Sequence, residues 1–248
     1  MLDTNMDSKI ILVTGATSGI GEAITKQLVM AGAKIVAVAR NKERLEKLHQ
    51  ENPDHIFPFS YDLMDLENME DIFRYCKENS LKLDGLVHCA GVTFTSVIKT
   101  NNIEEMEQAM RINCFALFEL GKYFSMKKYS NDGSSLVAIS SIASVLNSKG
   151  QSQYSASKAA VNSVVKTMSK EFMRRKIRVN AILPACVKTT MLMVGVQEIE
   201  NYLESAQTWQ PLGIIEAEQI AYLAEFLLSD NAKFMTGELV VVSGGIEY

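Results

Sequence analysis

Seven short apolar runs alternate with segments of helical periodicity, and this alternation limits the possible folds more than any other feature of the sequence. Most runs are continuously apolar, which is typical of strands covered on both faces. The runs are KIILV (9–13), KIVAVA (34–39), HIFPFS (55–60), GLVHC (85–89), SLVAIS (135–140), IRVNAIL (177–183) and ELVVV (238–242). Pro58 lies inside the third run, where it would remove a ladder hydrogen bond unless that strand lies at a sheet edge.

Helical patterns separate these runs. They cover residues 20–31, 103–128, 154–174 and 216–229, with apolar residues recurring on one face. Strand, helix and strand repeated in this order predict parallel strands joined by right-handed crossovers. We therefore expect an α/β fold: a doubly wound, Rossmann-like parallel sheet of about seven strands with helices on both faces. No repeat or linker interrupts the chain, which favours a single domain over residues 1–248.

The composition excludes several classes of protein. The formal charge of −4 gives no general attraction to nucleic acid or to an anionic membrane. The sequence contains no run of about eighteen apolar residues, so we expect no membrane span. The first residues do not resemble a secretory signal. The four cysteines are too widely spaced for a metal clip, so we expect no metal site. A cytoplasmic enzyme or binding protein is the resulting expectation.

A glycine-rich turn, TGATSGIG (14–21), follows the first apolar run directly. Gly15, Gly19 and Gly21 would allow a sharp turn, close approach of backbone to a pyrophosphate, and packing of helix on strand. The following helix would direct unpaired N–H groups and partial positive charge toward phosphates. The position between strand and helix favours a dinucleotide site, and an ordinary tight turn is the alternative.

The second run ends in VAVARNKERL, where dinucleotide folds contact the adenosine ribose. Ala39 offers no carboxylate for the ribose hydroxyls, whereas the Arg40 guanidinium could pair with a 2′-phosphate. This predicts NADP(H) as the cofactor. The alternative is that Arg40 only begins a charged, solvated helix.

Tyr154 and Lys158 lie one helical turn apart in QYSASKAA (153–160), so both project from one helix face. Taken with the glycine turn, the chain resembles the short-chain dehydrogenase/reductase family over essentially its whole length. The resemblance rests on TGATSGIG, Asp62, CAG (89–91), Asn113, Ser140-Ser141, YSASK (154–158), LPACVKT (183–189), PLG (211–213) and TGELVVVSGG (236–245). Cys89 departs from the family, which commonly has asparagine there.

The resemblance implies a role for each of four residues. Tyr154 would be the catalytic acid and base, Lys158 its modulator, and Ser141 the group that polarises the substrate. Asn113 would help to maintain a water-linked proton relay through the lysine. From the residues alone, Ser141 could instead be a turn residue, and Asn113 could be a local hydrogen bonder without a catalytic part.

The resemblance also implies the cofactor contacts. Asp62 would lie near the adenine amine, Ala90 and Gly91 would form backbone walls, and Val187 and Thr189 would hold the nicotinamide carboxamide. The full implied set is Gly15, Thr17, Ser18, Gly19, Ile20, Gly21, Arg40, Asp62, Leu63, Ala90, Gly91, Tyr154, Lys158, Pro184, Val187 and Thr189.

The chemistry is consistent with these roles. A hydride added to a carbonyl leaves alkoxide charge that a donor must protonate. The free pKa of tyrosine is about 10. We therefore expect the Lys158 ammonium, and the cationic nicotinamide of the oxidised cofactor, to lower the pKa of Tyr154. Ser141 would add a hydrogen bond to the carbonyl oxygen.

Residues 190–212 correspond to the family's variable substrate lid, and Met191, Leu192, Met193, Val194 and Trp209 make it apolar. An apolar or amphipathic carbonyl substrate is the hypothesis, and packing of the lid or of a subunit contact is the alternative. The leading function is an NADP(H)-dependent ketone reductase or alcohol dehydrogenase. A 3-oxoacyl thioester reductase and a catalytically silent NADP-sensing protein remain open. The resemblance implies a homodimer or homotetramer.

Overall fold

The computed structural model describes residues 4, 6–190, 192 and 208–247. Seven strands form one sheet, and every adjacent pair is parallel. The sheet order is β3-β2-β1-β4-β5-β6-β7. The strands are β1 (Ile10–Thr14), β2 (Lys34–Ala39), β3 (Ile56–Ser60), β4 (Leu83–His88), β5 (Ser130–Ile139), β6 (Arg178–Pro184) and β7 (Leu239–Val242). The predicted doubly wound parallel sheet is confirmed.

Helices fill the connections between strands. They are α1 (Gly19–Met30), α2 (Lys42–Glu51), α3 (Glu70–Glu78), α4 (Ile103–Met110), α5 (Ala116–Phe124), α6 (Ala143–Leu146), α7 (Ser152–Glu171) and α8 (Ala217–Leu228). The segment predicted as one helix over 103–128 consists of α4, a π-helical turn at Arg111–Phe115, and α5. In the ranges given above, no helix is both long and apolar enough to cross a membrane.

The sheet has a hydrophobic core on each face. Leu12 of β1 points to one face, where it joins residues of α3, α5 and α7 such as Phe73, Leu120 and Val165. Its neighbours Ile11 and Val13 point to the other face, toward α1, α2 and α8. Side chains alternate between the faces of a strand, so continuously apolar runs supply both cores.

Pro58 lies in β3, which is an edge strand as the sequence required. The ladder between β2 and β3 includes Ile35 N–H to the His55 carbonyl (2.7 Å) and Tyr61 N–H to the Ala39 carbonyl (3.0 Å). N–H groups alternate in direction along a strand, so position 58 would direct its N–H away from β2. The proline therefore removes no hydrogen bond from the sheet.

The connections after β1 and β4 leave the sheet in opposite directions. These two strands are neighbours, yet β1 leads to α1 on one face and β4 leads toward α4 and α5 on the other. Ligands of open α/β sheets bind in the crevice that such a divergence creates at the carboxyl ends of the strands.

Candidate active site

A cleft of about 1420 Å³ lies at this carboxyl edge. It exceeds the usual ~300–1,000 Å³ of a single small-molecule pocket, as a site for both a dinucleotide and a substrate would. Sixteen of the implied residues line it: Gly15, Thr17, Ser18, Gly19, Ile20, Arg40, Asp62, Leu63, Ala90, Gly91, Ser141, Tyr154, Lys158, Pro184, Val187 and Thr189. Gly21 and Asn113 do not line the cleft and lie directly behind it.

The glycine turn forms one wall of the cleft. Gly15 and Gly19 have φ angles of +69° and +52°, which side chains tolerate poorly. A Cβ on Gly15 would lie 2.9 Å from the Ala90 nitrogen, and one on Gly21 only 2.2 Å from the Gly15 carbonyl oxygen. Ser18 at the start of α1 makes no side-chain capping bond. The first N–H groups of α1 are therefore available to an anion, which fits a dinucleotide pyrophosphate.

Two guanidinium groups line the cleft at the end of β2. Arg40 is the predicted one, and Arg44 in the first turn of α2 is the other. Asn41 caps this helix, because its side chain accepts a hydrogen bond from the Arg44 N–H at 2.9 Å. Within the described part of the chain, no ion pair involves either arginine. Two free cations fit an additional phosphate better than they fit an unmodified ribose.

Tyr154 and Lys158 project into the cleft from the first turns of α7. Lys158 is only 3% exposed, and its Nζ donates to the Ile139 carbonyl at 2.8 Å. The same Nζ lies 5.7 Å from the centre of the Tyr154 ring. The ammonium thus lies beside the ring, where it can act on the phenol through space.

Burial shifts the pKa values of both Tyr154 and Lys158. Burial raises the pKa of Tyr154, and a hydrogen bond with Ser141 opposes that rise. Burial also lowers the pKa of Lys158 to about 8, against the opposing effects of Cys89 and Cys114. Desolvation of the phenolate is the largest influence on the pKa of Tyr154, and a lowering by Lys158 together with the oxidised nicotinamide stays a prediction.

The two adjacent serines at the end of β5 have different partners. The Ser140 hydroxyl interacts with the Asn162 amide oxygen at 2.7 Å and with the Lys158 carbonyl at 3.2 Å, so it fastens α7 to the strand. The Ser141 hydroxyl accepts from the Ala143 N–H at 3.1 Å and interacts with Tyr154. Only Ser141 is therefore paired with the phenol.

Asn113 is fully buried in the π-helical turn between α4 and α5. Its amide oxygen accepts from Val92 N–H at 2.8 Å, and its amide nitrogen donates to the Val92 carbonyl at 3.0 Å and to Ser157 Oγ at 2.9 Å. A Cβ on Gly91 would lie 3.1 Å from Asn113 Oδ1 and 3.4 Å from Lys158 Nζ. The asparagine and the lysine thus pack against the same glycine.

The loop after β6 closes the cleft opposite the glycine turn. Thr189 approaches the turn so closely that a Cβ on Gly19 would lie 3.2 Å from its methyl carbon. Behind the loop, the buried Gln210 accepts from Cys186 N–H at 3.1 Å and donates to the carbonyls of Cys186 (3.2 Å) and Gly213 (2.7 Å). Gln210 therefore fixes the loop to the segment 208–213.

The remaining end of the cleft would receive the substrate. Apolar side chains form much of it: Val92, Ile142, Leu146, Leu192, Trp209 and Pro211. Thr93, Thr95, Ser148, Gln151 and Glu247 add polar groups. Met191, Met193 and Val194 of the predicted lid lie outside the described residues.

Several lining residues were absent from the sequence-based set. Arg44 belongs to the charged segment after Arg40, and nothing in its sequence pattern distinguishes it from a residue of a solvated helix. Gln151, three residues before Tyr154, carried no motif of its own. His88 is not among the predicted site residues, and the structure places it behind the glycine turn, against Asn113.

Comparisons with known proteins identify the family of the chain. A family model described as Enoyl-(Acyl carrier protein) reductase matches residues 15–247. The chain therefore belongs to the short-chain dehydrogenase/reductase family of oxidoreductases.

Particular relatives resemble the chain from end to end. The 3-oxoacyl-(acyl-carrier-protein) reductase FabG of Thermotoga maritima is 29% identical over 97% of this chain and 98% of its own. The acetoacetyl-CoA reductase of an Acinetobacter species is 30% identical over 97% and 98%. The crystal structure of Short-chain dehydrogenase/reductase SDR:Glucose/ribitol dehydrogenase from Brucella melitensis superposes with a TM-score of 0.91 at 26% identity, covering 98% of both chains.

Proposed function

We propose that the protein is an NADP(H)-dependent oxidoreductase that interconverts a carbonyl group and a secondary alcohol. The supporting observation is the convergence of Ser141, Tyr154 and Lys158 on the same cleft as the glycine turn and two arginines. A hydride donor and a proton donor would thus lie beside the same bound substrate. Transfer of both the hydride and the proton completes a carbonyl reduction.

The preference for NADP(H) rests on Arg40 and Arg44. Both line the ribose end of the cleft, and Ala39 leaves no acid there to bind the two hydroxyls of NAD. Asp62 lines the same end, but its carboxylate accepts from Met64 N–H at 3.0 Å, so it stabilises its own turn. The cofactor would supply the hydride, and protein side chains would supply the proton.

Tyr154 donates the proton to the carbonyl oxygen as negative charge develops there. Its raised pKa keeps the phenol protonated, and therefore able to donate, at neutral pH. Ser141 supplies a second hydrogen bond to the same oxygen. Lys158 adds positive charge beside the phenol, and Asn113 holds the backbone of Val92 at the edge of the cleft.

The substrate class follows from the lining beyond Tyr154. Six apolar side chains lie there together with hydroxyl, amide and carboxylate groups, which suits an apolar or amphipathic ketone. A 3-oxoacyl thioester is the second candidate, because two of the relatives carry names that describe reduction of such compounds. From the predicted lid over 190–212, Leu192, Trp209 and Pro211 line the cleft, whereas residues 191 and 193–207 lie outside the described residues.

The test is a screen for NADPH oxidation with acetoacetyl-CoA, longer 3-oxoacyl thioesters, apolar ketones and ketosugars, each repeated with NADH. We expect turnover of an apolar ketone or of a thioester, with a clear preference for NADPH. Activity confined to ketosugars would contradict the substrate class, and equal or better use of NADH would contradict the cofactor assignment.

The Tyr154→Phe variant separates an enzyme from a protein that only binds the nucleotide. Removal of the acid should lower kcat by about 100- to 10,000-fold and leave NADPH affinity nearly unchanged. Tyr222→Phe is the matched control, because Tyr222 is half-exposed on α8 and does not line the cleft. NADPH binding without any turnover in the native chain would instead support the nucleotide-sensing alternative.

A homodimer or homotetramer in the cytoplasm completes the proposal. Phe115 and Phe118 expose large aromatic surfaces beside α5. Small residues at 156, 159 and 163 are exposed along α7 and would permit close contact with another helix. Together these faces suit a second copy of the chain.

A further inference from the structure

Three fully buried polar residues form a hydrogen-bonded chain behind the cleft. Thr14 at the end of β1 is 0% exposed, His88 at the end of β4 is 1% exposed, and Asn113 in the π-helical turn is 0% exposed. Thr14 Oγ1 lies 3.1 Å from His88 Nδ1, and His88 Nε2 lies 3.2 Å from the Asn113 carbonyl oxygen. The imidazole thus bridges the strand of the glycine turn to the turn that carries Asn113.

The surrounding bonds assign the proton on the ring. Thr14 Oγ1 accepts from the N–H groups of Cys89 (3.2 Å) and Ala90 (3.3 Å). A hydroxyl has one proton and two acceptor positions, so its own proton is directed to His88 Nδ1. Nδ1 is then an acceptor, and the ring proton lies on Nε2, where the Asn113 carbonyl accepts it.

The ring must also be neutral. Burial, and secondarily the positive charge of Lys158, lowers the pKa of His88 to about 3. A neutral imidazole leaves Lys158 as the cation of this cluster. It also leaves a single N–H, so the ring can satisfy Thr14 on one side and Asn113 on the other without an unpaired proton.

We propose that His88 is a positioning residue, whose neutral ring fixes the Asn113 carbonyl and so holds the π-helical turn in register with the glycine turn. Asn113 in turn fixes Val92 and Ser157, and it packs with Lys158 against Gly91. Loss of the Nε2–H would remove this hydrogen bond to a buried carbonyl and loosen the support of the lysine. The effect on turnover rests on the proposed function, whereas the arrangement of the ring does not.

The experiment compares His88→Leu, which removes both nitrogens, with His88→Gln, whose amide can still donate to the Asn113 carbonyl. With NADPH and the best carbonyl from the screen, we expect kcat of His88→Leu to fall about 10-fold and KM for the carbonyl to change less than about 2-fold. His88→Gln should retain more than about a third of the native kcat. His55→Leu is the control, because His55 contacts the Ala33 carbonyl away from the cleft.

A second measurement does not depend on turnover. Nitrogen NMR of the labelled native chain at neutral pH should show His88 with its proton on Nε2 and a neutral ring. The side-chain amide signals of Asn113 should move in His88→Leu and stay near their native positions in His88→Gln. If no carbonyl is reduced, the proposed function fails and these signals still decide the role of His88.

Three results would overturn the inference. They are an Nδ1-protonated or charged ring, an unchanged kcat in His88→Leu, or a loss in His88→Leu that His88→Gln does not relieve. If His88→Leu does not fold, the native tautomer and the Asn113 signals of His88→Gln carry the test.

Discussion

Arg44 lies in the first turn of α2, four residues after Arg40, and both residues line the cleft. Removing one of two cations should weaken the binding of a ligand that carries the extra phosphate. Arg44→Ala should therefore raise KM for NADPH about 10-fold and change KM for NADH less than about 2-fold. Lys47→Ala on the same helix is the control, since Lys47 does not line the cleft. Equal losses with both cofactors would contradict the assignment of Arg44.

Lys158 makes the stability of the protein depend on pH in an unusual direction. Burial lowers its pKa to about 8, whereas an unfolded lysine has a pKa of about 10.4. Between these values the unfolded chain binds more protons, so the free energy of unfolding rises with pH. Relative to Lys158→Met, the native chain should gain about 3 kcal/mol between about pH 8 and about pH 10.5.

Urea unfolding of both proteins at several pH values measures this difference. The other titrating groups largely cancel in the comparison, because the two chains differ only at position 158. A difference that does not change with pH would show that Lys158 keeps an ordinary pKa in the folded protein.

At the scale of the element, α8 depends on a buried cation from the neighbouring strand β6. The Arg178 guanidinium donates to the carbonyls of Leu227 (2.6 Å), Ser229 (3.0 Å) and Leu228 (3.4 Å). These carbonyls lie at the end of the helix, where partial negative charge accumulates. Arg178→Ala should lower the free energy of unfolding by about 1.5–3 kcal/mol because it removes the charge-assisted hydrogen bonds of the guanidinium to the end of the helix.

Chemical denaturation checks this value, with Arg174→Ala as the control because Arg174 is exposed on the preceding turn. A loss of less than about 0.5 kcal/mol for Arg178→Ala would mean that water replaces the guanidinium at the helix end.

The strands and long helices could be predicted from the sequence because their signals are local. Continuous apolar runs gave β1, β2 and β6 within about two residues, and the edge position of Pro58 followed from its missing N–H. The π-helical turn was not predicted, because the apolar residues on both sides of it fit one helical pattern over 103–128. Helix α3 has no counterpart among the predicted helices.

The residues in and around the candidate site also differ in how far the sequence could predict them. Tyr154, Lys158 and the glycine turn are recognisable because their spacing along the chain expresses their geometry. His88 and Arg178 act through contacts with segments 25 and 49 residues away, which spacing does not reveal. The raised pKa of Tyr154 also depends on burial, a property of the assembled fold.

At the scale of the whole molecule, the exposed Phe118 tests the proposed assembly. It is 56% exposed on α5, next to Phe115. A charge at the centre of an apolar interface is poorly tolerated, so Phe118→Glu should convert the oligomer to smaller species at micromolar concentration. Analytical ultracentrifugation measures the mass, with Met30→Glu at the exposed end of α1 as the control. An unchanged mass in Phe118→Glu would place the interface elsewhere.

The outward direction of the backbone at Pro58 affects how readily the edge strand β3 could pair with another chain. An uncovered parallel edge offers a row of donors and acceptors on which another chain can add a strand and start a growing aggregate. A proline in the middle of β3 removes one of those donors and places a ring in the path of the incoming backbone. We therefore expect this residue, which costs the native sheet nothing, to hinder the addition of another strand at the β3 edge.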